Sequence, residues 1–460
     1  MRGDTLLALA LASVSFGCTD PACDPGAIAD ALAAAAPGDT VSIGECTVTG
    51  DFTVPAGVTL VGLGPDRSRI ASAGMVALTI ETRDGRTSAV RELAVHSDGC
   101  AAIVARGDGA LSMRAVRVDT PSGIGLGAEG LASLELEDVQ TLGPIEAGIS
   151  PGRVQLPPYA CDPAMPATHG IVLVRVADAR LTTVDTIGYA AFGALLVESH
   201  TTWRAGLLAD HIGTGLAVVG GDAELTDLEL RGARQDVAPV ESFNAVFLDA
   251  AIQSAGLLVT DGEVFGLFQQ GGSTEHEDLT VRSNGFAGVW AQSADALRIS
   301  GAMSRITDNG FAGVAAYTTG MLAVSDATIG TTRDGIAIDG ARVVHAADGI
   351  HAVGVSAAEL ARLQLDDNER VGLLVDLAGG STDALTLSAI AVAGTGSELG
   401  AVAQNGTVAA GWDVAIARDA ITMANDVAFS GTLDVTSVVG PSCLPVVDAV
   451  VASGLSSLVP

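Results

Sequence analysis

Apolar residues recur along this chain in short alternating bursts that begin at a glycine. They read Gly170-Ile-Val-Leu-Val, Gly193-Ala-Leu-Leu-Val, Gly215-Leu-Ala-Val-Val, Gly266-Leu-Phe-Gln-Gln, Gly288-Val-Trp-Ala-Gln, Gly313-Val-Ala-Ala-Tyr and Gly335-Ile-Ala-Ile-Asp. Apart from the step between 215 and 266, where Ala245 stands in for a missing glycine, the intervals are 22 to 25 residues. Gly125 and Gly148 carry the series upstream, and Gly372 and Gly400 carry it downstream with looser spacing. Each period holds a second alternating segment, such as Ala223-Glu-Leu-Thr-Asp-Leu-Glu-Leu-Arg, set off by Gly, Asp, Ser or Thr. Alternation of period two is the mark of half-buried strands, and nothing between 40 and 440 carries the period of a long helix. A βαβ unit needs about 30 residues or more, so the repeat is too short for one. It suits one turn of a parallel β-solenoid, whose strands pair with the same position one turn on, about 4.8 Å away. Antiparallel hairpins would reverse direction at each turn and give no reason for a single period.

A second regularity sits four residues before the glycine: Asn284, Asn309 and Asn368 in three turns, with Tyr189 and His211 in the same slot elsewhere. Asparagine tolerates a sharp corner, and stacked amides can hydrogen-bond along the axis. Near the N-terminus, Ala27-Ile-Ala-Asp-Ala-Leu-Ala-Ala-Ala-Ala-Pro-Gly-Asp-Thr-Val-Ser-Ile is followed by Val54-Pro-Ala-Gly-Val-Thr-Leu-Val-Gly-Leu-Gly. This opening resembles that of the right-handed parallel β-helix, pectate-lyase-like superfamily. The resemblance implies an all-β fold, a right-handed single-stranded parallel β-helix over residues 26–440 with an N-terminal Ala-rich capping helix over its open apolar end. The Pro-rich stretch 151–168 is then a loop excursion, and 441–460 a C-terminal cap or tail.

That fold hosts lyases, hydrolases, esterases, epimerases and plain binding proteins, so it does not decide function. Of the polygalacturonase-like motif set only Asp366-Asp367 is matched, and its Arg-Ile-Lys member cannot occur, because all 23 basic residues are Arg. Arg282, Arg298 and Arg305 are available as a lyase-type base, but no motif selects one of them.

Residues 1–17 read as an export signal, with Arg2 ahead of an apolar stretch from Thr5 to Phe16. Ser15-Phe16-Gly17-Cys18 is similar to a bacterial lipobox and makes Cys18 the expected lipidation site, with 18–25 as a tether. The protein is then expected outside the cytoplasm, as an outer-membrane or cell-surface lipoprotein, or otherwise periplasmic or secreted, its membrane contact made only through the anchor. Six cysteines suit an oxidising compartment. Cys23 and Cys46 are the expected disulfide, Cys100 with Cys161 is a further pairing, and Cys443 has no evident partner.

Charge narrows the partners. With 54 acidic residues against 23 basic ones, the formal charge of −31 repels nucleic acid and anionic membranes. If residues one and three after each glycine face inward, those two and four after it face out, and the outward rows hold Phe268, Trp290, Gln270, Gln292, Tyr317 and Asp339. Aromatic faces beside amides and a carboxylate suit sugar rings. The alternative is a stacked aromatic ladder packed beneath a loop. Glu275-His276-Glu277-Asp278 reads as a solvated run in a turn, and His345 and His351 as corner residues. No cofactor motif is present, and calcium has no dedicated loop although the acidic surface could recruit it. The expectation is a monomeric, non-catalytic scaffold that binds a polysaccharide or a cell-surface partner. The alternatives are a polysaccharide lyase or glycoside hydrolase using Asp339, and a structural spacer or adhesin.

Overall fold

The computed structural model describes residues 21–144, 168–235, 242–339, 342–381, 384–393, 399–404, 428–429 and 432–434. The chain winds as a right-handed parallel β-helix. One strand of each turn enters a 15-stranded sheet, here sheet I, and the rest of the turn enters a 21-stranded sheet, sheet II. Strands of sheet II such as Ser133–Leu142 and Asp222–Arg231 carry one residue with positive φ at their middle, Asp138 at 53° and Asp227 at 53°. That residue bends the strand, so sheet II forms two of the three faces of each coil.

Alternation builds the core. Ile171, Leu173, Ala194, Leu196, Leu216 and Val218 point inward from sheet I and meet Leu181, Trp203, Leu225 and Leu230 of sheet II in one continuous cluster. At the N-terminal end, helix α1 (Pro25–Ala34) inserts Ile28 and Leu32 into the same cluster. Its start is well specified: the Asp24 carboxylate accepts from the backbone N–H of Gly26 at 2.8 Å and of Ala27 at 3.1 Å, and Pro25 opens the first turn. The Cys23–Cys46 disulfide, with Cα atoms 6.0 Å apart, ties the helix to the first turns. Cys100 is also disulfide-bonded. Cys18, Cys161, Cys443 and the stretches 1–17 and 441–460 lie outside the described residues, as does the Pro-rich excursion but for its last residue, Thr168.

The glycine register aligns as the sequence pattern predicts at most turns, since Ile171 pairs with Ala194 and Ala194 with Leu216. The expected amide pairing joins Asn284 to Asn309, and Asn244 extends it by one more bond. Asn244 Nδ2 donates to Asn284 Oδ1 at 3.0 Å, and Asn284 Nδ2 donates to Asn309 Oδ1 at 2.9 Å. The close packing explains the repeat: a Cβ at Gly288 would lie 2.7 Å from the carbonyl oxygen of Gly313 and 2.8 Å from Asn309 Nδ2.

Two expectations are corrected. Ala245 pairs with Leu216, so the residue standing in the glycine slot is Asn244. Gly335–Asp339 pairs antiparallel with Arg342–Ala346 in a hairpin of its own, while the next coil is Asp348–Val353 with Gly349 in the glycine slot. That hairpin had mimicked the period. Gly148 lies outside the described residues, and the strand Ile124–Glu129 pairs with His169–Val174.

Candidate functional site

On the outer side of sheet I the register stacks Phe268, Trp290, Ala315, His351 and Leu374 in one column, and Gln270, Gln292, Tyr317, Val353 and Asp376 in the next. The expected aromatic platform is therefore assembled on one face, but it is not presented to solvent. Phe268 and Trp290 are fully buried in a second apolar cluster with Phe192, Phe243, Phe265 and Phe311. Trp290 lies 5.5 Å from Phe286 and 5.7 Å from Phe265, and Phe286 stacks on Phe311 at 4.6 Å. The ring faces are occupied by one another, so the ladder, not the open platform, describes these residues as the molecule stands. Gln270 and Tyr317 are half-buried, and Gln292 is buried. Asp339 ends the hairpin strand opposite Arg342 and does not continue the Tyr317 column, where Val353 and then Asp376 follow.

The same face carries a charged group that the sequence reading placed elsewhere. His351 is not a corner residue: it sits mid-strand, buried, with Nδ1 2.8 Å from Asp348 Oδ2 and its ring stacked on Phe311. Arg370, one turn on, donates its Nε to Asp348 Oδ1 at 2.8 Å. Burial alone would raise the Asp348 pKa, but the bonds from Arg370 and His351 outweigh it and hold the carboxyl below its ordinary value.

Sheet II offers an open site. A groove of about 380 Å³ crosses four successive strands on its outer side, Asp222–Arg231, Ala251–Ala255, Ser273–Glu277 and Ala296–Ser300. Its length is three strand spacings, about 14 Å. The register lays down its floor and wall. Asp222, Ala251, Ser273 and Ala296 stack into a column of short side chains, and Glu224, Gln253, Glu275 and Arg298 form the longer column beside it. His200, one turn earlier, contacts Asp222 through Nδ1. The side chains of Glu224, Gln253, Glu275 and Arg298 make no hydrogen bond or ion pair among the described residues.

The floor is held from inside. The buried Gln269 amide donates to the carbonyls of Gly271, Gly272 and Ala296 at 3.1 to 3.2 Å and accepts from Thr274 Oγ1 at 2.8 Å. Gly272 has φ of +56°, and a Cβ there would meet Ala250 O at 2.2 Å, so the corner leading into the floor needs glycine. Glu275-His276-Glu277 is accordingly strand and not turn. Glu275 and Glu277 point out, while His276 points into the core, bonds Ser254 Oγ at 2.7 Å, and has its pKa lowered by burial to about 4. The signal for the groove was in the sequence, as the recurrence of a polar residue two places after each corner, in Asp222-Ala-Glu, Ala251-Ile-Gln, Ser273-Thr-Glu and Ala296-Leu-Arg. Among the described residues no group of three or more His, Cys, Asp and Glu could hold a metal ion, and no helix is long and apolar enough to cross a membrane.

With the stacked parallel strands and the outer faces defined, the chain is a right-handed parallel β-helix protein. No family model matches it, and no curated protein sequence matches it. Among solved structures it is similar to the A-module of mannuronan C-5 epimerase AlgE6 from Azotobacter vinelandii, at 14% identity over 91% of this chain and 92% of that one, with a TM-score of 0.29. The catalytic unit of an α-1,3-glucanase from Streptomyces thermodiastaticus matches at 14% identity over 90% of this chain and 64% of that one, with a TM-score of 0.30. The Dettilon tailspike protein matches at 12% identity over 83% and 62%, with a TM-score of 0.29. At these values the likeness carries no argument about activity.

Proposed function

We propose that this protein is an exported, monomeric scaffold that binds a polysaccharide along the outer groove of sheet II, without chemistry of its own. One observation carries the reading: an open groove with a floor of short side chains, walled by a carboxamide, carboxylates and a guanidinium that are unused within the fold. Such groups hydrogen-bond sugar hydroxyls, and their repeat along the axis is about the length of one pyranose. Phe268, Trp290, Gln270, Gln292 and Tyr317 then serve the scaffold, with Gln270 and Tyr317 at its accessible edge. Calcium is not needed for the contact. Cys18 is the proposed lipid anchor, checked by metabolic labelling with palmitate.

The test is retention of the purified protein on acidic, neutral and amino polysaccharides, with and without calcium, together with assay for new reducing or unsaturated ends. Retention without product supports the scaffold; no retention on any of them contradicts it. A polysaccharide lyase or glycoside hydrolase is the second reading, and new reducing or unsaturated ends in the same panel would establish it. A plain spacer or adhesin predicts neither retention nor product.

A further inference from the structure

The groove has a sign and a spacing, and together they select among glycans. This step rests on the proposal that sheet II binds polysaccharide. Asp222, Glu224 and Glu275 line it against a single Arg298, on a chain whose formal charge is −31. A uronic acid polymer would bring its carboxylates against these and against the whole acidic surface. Glu224 and Glu275 stand in one column with Gln253 between them, so they are two strand spacings apart, about 10 Å. Along an extended β-1,4-linked chain, successive sugars alternate in facing, so one side of the strand repeats a given substituent every second residue. Two rungs of the β-helix match that disaccharide repeat. Gln253, midway, meets the intervening sugar through a neutral amide, and Ser273 and Ala251 leave room for the rings on the floor.

We propose that the groove recognises a glycan of free amino sugars, such as a 1,4-linked glucosamine chain, with alternate ammonium groups seated on Glu224 and Glu275. Each ammonium then makes a charge-assisted hydrogen bond to a carboxylate that has no partner in the free protein. Asp222, held by His200, borders the floor and adds to the field without taking an ammonium of its own.

The experiment is titration of the full chain with a glucosamine hexamer, its N-acetylated counterpart and an oligogalacturonate at low and moderate ionic strength. The expected order is free amine well above N-acetylated, with no binding of the uronate and weakening with salt. Glu224→Gln and Glu275→Gln should each weaken the free-amine complex by about tenfold at unchanged melting temperature. Glu359→Gln removes an equal charge from the same column three rungs beyond Glu275 and should leave affinity unchanged. If Glu359→Gln weakens binding as much as Glu275→Gln, the attraction is general polyelectrolyte pairing and the seat is refuted. If the N-acetylated chain binds as well as the free amine, the amine assignment fails while the groove stands. If no hexamer binds, and the polysaccharide panel also retains nothing, both fail together.

Discussion

Replacing Trp290 with alanine separates a sugar platform from a second core. An exposed platform residue could be cut back with little effect on folding. In the structure the indole is fully buried, has Phe265, Phe286 and Phe311 within 6.2 Å, and is flanked in its column by Phe268 and Ala315. Truncating a buried tryptophan typically costs about 3–5 kcal/mol, the transfer term and the cavity together. Stacked rigid strands cannot collapse into the space, which favours the upper half of that range. The Nε1 group has no hydrogen-bond partner among the described residues, so none of those bonds is lost. Since solenoid stability is a sum of local terms, the effect should concentrate in the turns around 265–317. The assay is denaturant unfolding combined with amide hydrogen exchange of those strands. Tyr317→Ala, at the half-buried edge, should cost about 1 kcal/mol. A Trp290→Ala protein with unchanged unfolding and exchange would refute the buried-ladder account and reopen that face to ligand.

Asn284→Ala removes an acceptor used by Asn244 Nδ2 and Gly262 N–H and a donor to Asn309, so it should cost about 2–4 kcal/mol by leaving buried groups unpaired, read as a lowered unfolding midpoint. His169, His211 and His276 are buried with pKa values lowered to about 4, 3 and 4, so each is neutral in the fold and charges on unfolding below about 6.5. Stability should therefore be full above pH 6.5 and fall on acidification toward pH 4, by up to about 1.4 kcal/mol per pH unit for each histidine. Calorimetry across that range checks this, and proton uptake absent on unfolding at pH 5 would contradict it. Cys46→Ser opens a bond across 23 residues and should cost about 3 kcal/mol locally, seen as faster exchange in α1. Peptide mapping without reduction should find Cys100 joined to Cys161.

The fold was legible because a solenoid repeats its constraint. Turn after turn sets a glycine under a carbonyl of the next, so Gly193, Gly215 and Gly288 mark their rungs independently, and Asn284 and Asn309 mark the corner beside two of them. Legibility failed where an insertion imitated the period. Gly335-Ile-Ala-Ile-Asp has the local pattern of a rung and pairs as a hairpin, which took Asp339 out of the row that Asp376 completes. The candidate site was less legible for a different reason. Alternation tells which side of a strand a residue faces but not whether that face is covered, so Phe268 and Trp290 were correctly placed outside the first core and still are buried in a second. The groove of Asp222, Glu224, Glu275 and Arg298 escaped notice because its residues are the ordinary polar half of a strand pattern. Only stacking in register turns them into columns.

The measurement that bears most directly on the central claim is glycan retention by a protein whose groove has been filled. Ser273 is exposed on the groove floor in mid-sheet, where an outward tyrosine fits strand geometry without touching the core. The account predicts that Ser273→Tyr melts like the wild type and loses retention. Retention equal to the wild type at equal stability would contradict the assignment of polysaccharide binding to this groove.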